Sequence, residues 1–167
     1  YFEGGNFMAN SVGDCMVINT NATSIIPDQV FEQHYGCQNL YRLPYVKGIG
    51  HADESVKFID DNTVLTDTPQ YQRIMSNAGF RVVMVPRART NYETYVNSLI
   101  VNGVVFVPIF GQKTDAEALR VYESLGLKAI GVRTNTLSND GQGSIHCITM
   151  TYPPVKFQKL KSMLGAL

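Results

Sequence analysis

Three times along this 167-residue chain the order strand, strand, helix, strand recurs, at an interval of roughly 48 residues, and no other feature constrains the fold as strongly. In the first unit an extended run over Asn6 to Ser11 meets a Gly13-Asp14 turn and an apolar run Cys15 to Asn19. A helix then opens at Pro27 and closes at Gly36, and Leu40 to Leu43 form a strand. The second unit pairs Ser55 to Asp60 with Thr63 to Thr66 across an Asp61-Asn62 turn. It starts a helix at Thr68-Pro69, stops it at Gly79 and returns through Phe80 to Val85. The third has Val96 to Val101, an Asn102-Gly103 hairpin turn and Val104 to Ile109, then a helix with Thr114 and Glu117 set as a capping box. Gly126 ends that helix, and Lys128 to Val132 complete the unit. A polar loop is expected from Asn135 to Gly143, then a fourth unit opening with an extended stretch over Ser144 to Thr149. A final helix is expected over Pro154 to Leu164, with Lys156, Lys159 and Lys161 on its solvated face.

Composition removes several classes of function. Fourteen basic side chains balance fourteen acidic ones and 44% of residues are apolar, which excludes a disordered tail or a basic nucleic-acid clamp. The longest apolar runs, such as Val104 to Phe110, are strand-sized, far short of the roughly 20 residues that cross a membrane. The expectation is a single α/β domain over residues 1–167 with neither a nucleic-acid nor a membrane partner. No targeting segment is visible, so a cytoplasmic location is expected, although the first residue is Tyr1 rather than Met. Three cysteines are an odd number without CxxC spacing, which indicates neither a disulfide framework nor a zinc site. Cys15 and Cys37 are therefore read as small core hydrophobes.

Polar residues of unusual type recur where each unit's first strand begins: Glu3, then His51 and Asp53, then Asn97, then Cys147. Glu3, His51, Asn97 and Cys147 are separated by 48, 46 and 50 residues. Equivalent places in a ring of blade-like units converge on its axis. A Glu, a His, an Asp and a Cys brought together there are what a thiol-dependent hydrolase of a cationic substrate requires. His146 adjoins Cys147, but successive strand side chains point to opposite faces, so an extended Ser144 to Thr149 turns it away from the thiol. The same alternation sends Glu54 away from Asp53 into a solvated or supporting role. His34 eases the dipole at the end of the first helix, and Arg87 and Arg89 read as surface charges.

Glu3-Gly4-Gly5-Asn6, Gly50-His51-Ala52-Asp53-Glu54, the run Asn91 to Asn97 and Ile145-His146-Cys147-Ile148-Thr149 resemble, in order, the motifs of the agmatine deiminase and bacterial peptidylarginine deiminase family. The resemblance covers residue 3 to about 154. It implies the fold of the guanidino-modifying enzymes, an α/β propeller (pentein) of ββαβ units. At this period the chain makes an incomplete ring of about three and a half units. The family carries a segment before the Glu-Gly-Gly motif that includes a further acidic residue. Upstream blades, of the same precursor or as a separate chain, and an oligomeric state are therefore expected as partners.

The resemblance implies hydrolysis of a guanidino group to a ureido group and ammonia without metal or organic cofactor. Agmatine is the first choice of substrate and peptide arginine the second. Cys147 would be the nucleophile, His51 the acid and base, and Glu3 the acceptor that orients the imidazole. Asp53 would grip the guanidinium, with Glu3 and Asn97 completing the binding set. Where agmatine-specific members continue with amide side chains, Met150, Thr151 and Tyr152 follow here. The rivals are an amidinotransferase, which would hand the amidino group to an amine, and a non-catalytic fragment or binding module of the same fold.

Overall fold

The computed structural model describes residues 2–151 and 156–164. Each expected unit forms a three-stranded sheet of one topology. In the first, β1 (Met8–Ala9) runs antiparallel to β2 (Asp14–Asn19), α1 (Asp28–Tyr35) crosses over, and β3 (Asn39–Pro44) returns parallel to β2. The second repeats this with β4 (Val56–Phe58), β5 (Thr63–Thr66), α2 (Pro69–Asn77) and β6 (Arg81–Met84), and the third with β7 (Leu99–Val101), β8 (Val104–Ile109), α3 (Asp115–Ser124) and β9 (Lys128–Arg133). In every sheet the second strand lies in the middle.

The alternation of strand side chains builds the joints between units. From β2, Met16 and Ile18 face one way and pack with Ala52, Val56, Val64, Tyr71 and Met75 of the second unit. Cys15 and Val17 face the other way, into a cluster with Phe31 and Cys37 against which Phe2 and Phe7 pack. The second joint sets Leu65 against Val96, Val105, Ala118 and Tyr122. Tyrosine hydroxyls close both joints, Tyr71 donating to the Pro44 carbonyl at 2.7 Å and Tyr122 to the Tyr95 carbonyl at 2.8 Å. Among the described residues no helix is long and apolar enough to cross a membrane.

Four expectations fail, each for a local reason. Cys15 and Cys37 form a disulfide instead of two core thiols, with their Cα atoms 5.7 Å apart. The left-handed Gly36 ends α1 and turns the chain back, which brings Cys37 beside the start of β2. The stretch after β9 is a helix, α4 (Asn135–Gly141), rather than a loop. Asn135 and Asn139, one turn apart, donate to the buried Glu93 carboxylate, the latter at 3.0 Å, so amides that resemble loop polarity are anchoring bonds. At α3 the N-cap Thr114 makes no side-chain capping bond, its hydroxyl being engaged by Tyr95, while the carboxylate of Asp115 accepts from the backbone amides of Phe110, Gly111 and Gln112 in the preceding loop. Finally, the run over Ser144 to Thr149 holds a 3₁₀ turn at His146–Ile148 instead of a strand. The last helix, α5, spans Phe157–Leu164, and the earlier part of its expected range at 154–155 lies outside the described residues.

Candidate active site

Short 3₁₀ turns, not strands, present the polar residues. One at Gly4–Asn6 follows Glu3, one at Ala52–Glu54 follows His51 and contains Asp53, and the third contains Cys147. Three residues per turn separate neighbouring side chains by about 120° rather than 180°. His146 and Cys147 can therefore both reach Asp53. His146 Nδ1 lies 2.8 Å from Asp53 Oδ2, and the Cys147 thiol donates to the same oxygen at 3.4 Å. The expectation that His146 looks away from the site is thus overturned by the turn that replaces the strand.

Asn97 ties the pieces together. Its Nδ2 donates to Cys147 Sγ at 3.1 Å and to the Asp53 carbonyl at 3.3 Å, while its Oδ1 accepts the His146 backbone amide at 3.0 Å. On the opposite side of the cleft, His51 Nε2 lies 2.6 Å from Glu3 Oε2. That leaves Nδ1 of His51 facing inward. Gly5 shows how tightly the two sides meet: a Cβ there would stand 2.7 Å from His51 Nδ1 and 3.1 Å from Asp53 Oδ1. Only a residue without a side chain fits between them. Gly143 plays the corresponding part beside the sulfur, where a Cβ would fall 3.1 Å from Cys147 Sγ. All of Glu3, His51, Asp53 and Cys147 line one cleft, which Gly141, Gln142 and Gly143 border. Two of these features lie inside the motifs named above, where their part is not evident from residue type alone: Gly5 in the Glu-Gly-Gly run and His146 beside Cys147. A glycine in a polar motif signals close approach, and this signal was available in the sequence.

The charges are unevenly matched. Asp53 is fully buried, and its Oδ1 has no hydrogen-bond partner among the described residues. Desolvation, then the charge of Asp53, pushes the Cys147 thiol up to about 11, which favours the thiol form near neutral pH. Lys57, buried on β4, is drawn down to about 8 by desolvation, against which Asp53 and Cys147 favour its charge. Glu54 is buried rather than solvated; desolvation and then Asp53 lift it to about 7. Arg87 and Arg89 are exposed. Among the described residues no group of three or more His, Cys, Asp or Glu is placed to hold a metal ion.

The site can thus accept a planar cation at a buried carboxylate, beside a thiol and across from an imidazole backed by a second carboxylate. Comparison with known proteins agrees in kind. A Streptococcus mutans protein named "Putative agmatine deiminase" is 39% identical over 93 residues, 53% of this chain and 25% of that protein. A Porphyromonas gingivalis crystal structure titled "Putative Arginine Deiminase" superposes with a TM-score of 0.74 at 25% identity, over 90% of this chain and 56% of that one. The agmatine deiminase of C. jejuni shares the fold, with a TM-score of 0.71 at 23% identity, over 87% of this chain and 54% of that one. The chain therefore spans a quarter of the length of the curated relative and little more than half of either solved structure. The model of the Porphyromonas-type peptidyl-arginine deiminases matches residues 2–153, and the chain belongs to that family of guanidino-modifying deiminases.

Proposed function

We propose that this chain carries the catalytic half of a deiminase that hydrolyses a guanidino group through a covalent Cys147 intermediate, with agmatine the first choice of substrate and peptide arginine the second. The observation that carries this reading is Asp53, a fully buried carboxylate with one oxygen unpartnered, within reach of a thiol. Burying such an oxygen is costly unless a ligand satisfies it, and a guanidinium N–H does so with charge assistance. The same cation favours the thiolate, opposing the burial and the Asp53 charge that raise the thiol pKa.

The thiolate attacks the guanidinium carbon, forming a C–S bond as the C=N electron pair moves onto nitrogen. His51 protonates one terminal nitrogen, its C–N bond breaks, and ammonia leaves. A water then gives a proton to His51 and adds to the amidino carbon. The C–S bond breaks with its electron pair on sulfur while the proton of the added hydroxyl passes to solvent, releasing the ureido product and the thiolate. Glu3 holds the other imidazole nitrogen throughout.

Upstream units of the same fold would close the ring and supply the second carboxylate. In support, β9 is an edge strand with exposed residues along most of its length, and an apolar groove of about 1000 Å³ lies beside it, lined by Phe106, Val132, Leu137 and Ile148. The test is ammonia release from agmatine by this chain with and without the upstream polypeptide. Activity that appears on mixing and vanishes in Cys147→Ser supports the reading. A new guanidine formed from an added amine would indicate amidino transfer instead, and no turnover by the mixed chains would overturn the enzyme reading.

A further inference from the structure

The two oxygens of Asp53 are unequally occupied. Oδ2 is met by His146 Nδ1 at 2.8 Å and by the Cys147 thiol at 3.4 Å, while Oδ1 is buried and has no hydrogen-bond partner among the described residues. An ionised carboxylate only accepts, so the nitrogen that faces it carries the hydrogen. We propose that His146 is a positioning residue, whose Nδ1–H holds Asp53 Oδ2 so that Oδ1 is presented to the guanidinium and the negative charge at Oδ2, beside the Cys147 sulfur, is partly offset. This rests on the reading of Cys147 as nucleophile given above.

The geometry supports each part. His146 is itself held, its backbone amide donating to Asn97 Oδ1 at 3.0 Å, so its ring has a defined origin from which to fix Asp53. When the thiol ionises, its S–H no longer bridges to Oδ2, and a thiolate would stand beside a carboxylate oxygen. Like charges at that range oppose ionisation, and an N–H on the same oxygen reduces the opposition. The other groups that bear on the sulfur are Asn97 at 3.1 Å, Lys57 on β4, and His51 with Glu3 on the far wall of the cleft. Of the histidines, His146 is the one bonded to Asp53 Oδ2.

The experiment uses the intact chain under non-reducing conditions, where Cys147 is the free cysteine. Iodoacetamide, a neutral reagent, reports the thiolate fraction at pH 8. His146→Ala is expected to slow alkylation about tenfold, the change that a rise of about one unit in the thiol pKa produces. His146→Asn carries an amide N–H where Nδ1–H was, and is expected to restore the rate to within about twofold. In an Asp53→Asn background the effect of His146→Ala should shrink to less than about twofold, because the coupling has lost its second member. An unchanged rate in His146→Ala, an Asn variant as slow as Ala, or the same tenfold effect without the Asp53 charge overturns the proposal. Should the Ala variant unfold by circular dichroism, His146→Gln, whose amide sits one bond further out, takes its place with the same expected slowing. Agmatine turnover by the mixed chains that persists despite an uncoupled His146 would leave the deiminase reading standing while this one falls.

Discussion

The two walls of the cleft are built to different standards. On one, Asp53 is fully buried and Asn97 bonds to Cys147, His146 and the Asp53 backbone, so each reactive group is fixed by several contacts. On the other, the His51 side chain is 14% exposed and rests on Glu3, whose side chain is 64% exposed. The segment bearing Glu3 is anchored at one remove, by Phe2 packed at tilted angles among Phe7, Phe31 and Tyr35 against the cluster that holds Cys15 and Cys37. On the proposed reading the rigid wall holds the cation and the more exposed wall carries the imidazole that moves a proton.

Removing the bridge should strike the softer wall's support alone. Cys15→Ser with Cys37→Ser is expected to lower stability by about 3 kcal/mol, the chain-entropy value for a loop of this size. Cys147 alkylation at pH 8 should stay within about twofold, since distant sites act independently. Urea unfolding and alkylation kinetics measure the two effects, and a large change in alkylation would show that the walls are one structure.

Glu54 tests the rigid wall. Its folded pKa, lifted to about 7, lies above the unfolded value near 4.5, so its contribution to stability is complete below pH 4.5 and lost as pH rises through 7. Wild type should lose about 3 kcal/mol across that window relative to Glu54→Gln. Unfolding curves at pH 4.5 and pH 8 for both proteins read the difference.

Gly5 touches both walls, because a Cβ there meets His51 Nδ1 and both Asp53 oxygens. Gly5→Ala should cut labelling of Cys147 by chloroacetamidine about a hundredfold through misplacement of these groups, with little change in unfolding midpoint. Glu3→Gln should have the smallest effect on folding, under about 1 kcal/mol by urea unfolding, because its exposed ion pair is screened by solvent.

The repeat was readable because it is written in local chemistry. The Asn102-Gly103 hairpin turn, Thr68-Pro69 and Gly36 each punctuate the chain where the structure turns. What was not readable depended on partners distant in sequence. Asn135 and Asn139 look like loop residues until Glu93, more than 40 positions away, is seen to accept from them. Cys37 meets Cys15 only because the α1 crossover returns the chain to β2's neighbour. The direction of His146 is not legible because Ser144 to Thr149 has strand-like composition, while its hydrogen bonds to Asn97 shape a turn. The spacing of Glu3, His51, Asn97 and Cys147 did indicate convergence, because equivalent positions of repeated units are brought together by the stacking of those units.

The central claim is that the buried Asp53 carboxylate recruits a cation to the Cys147 sulfur. Its most direct measurement is the ratio of Cys147 modification rates by chloroacetamidine and by neutral iodoacetamide at pH 8, in wild type and in Asp53→Asn, with the modified residue located by mass mapping. The account predicts a strong preference for the cationic reagent at Cys147 in wild type, falling at least about a hundredfold in Asp53→Asn, the loss of one partner of a desolvated ion pair. Equal ratios in the two proteins would contradict it.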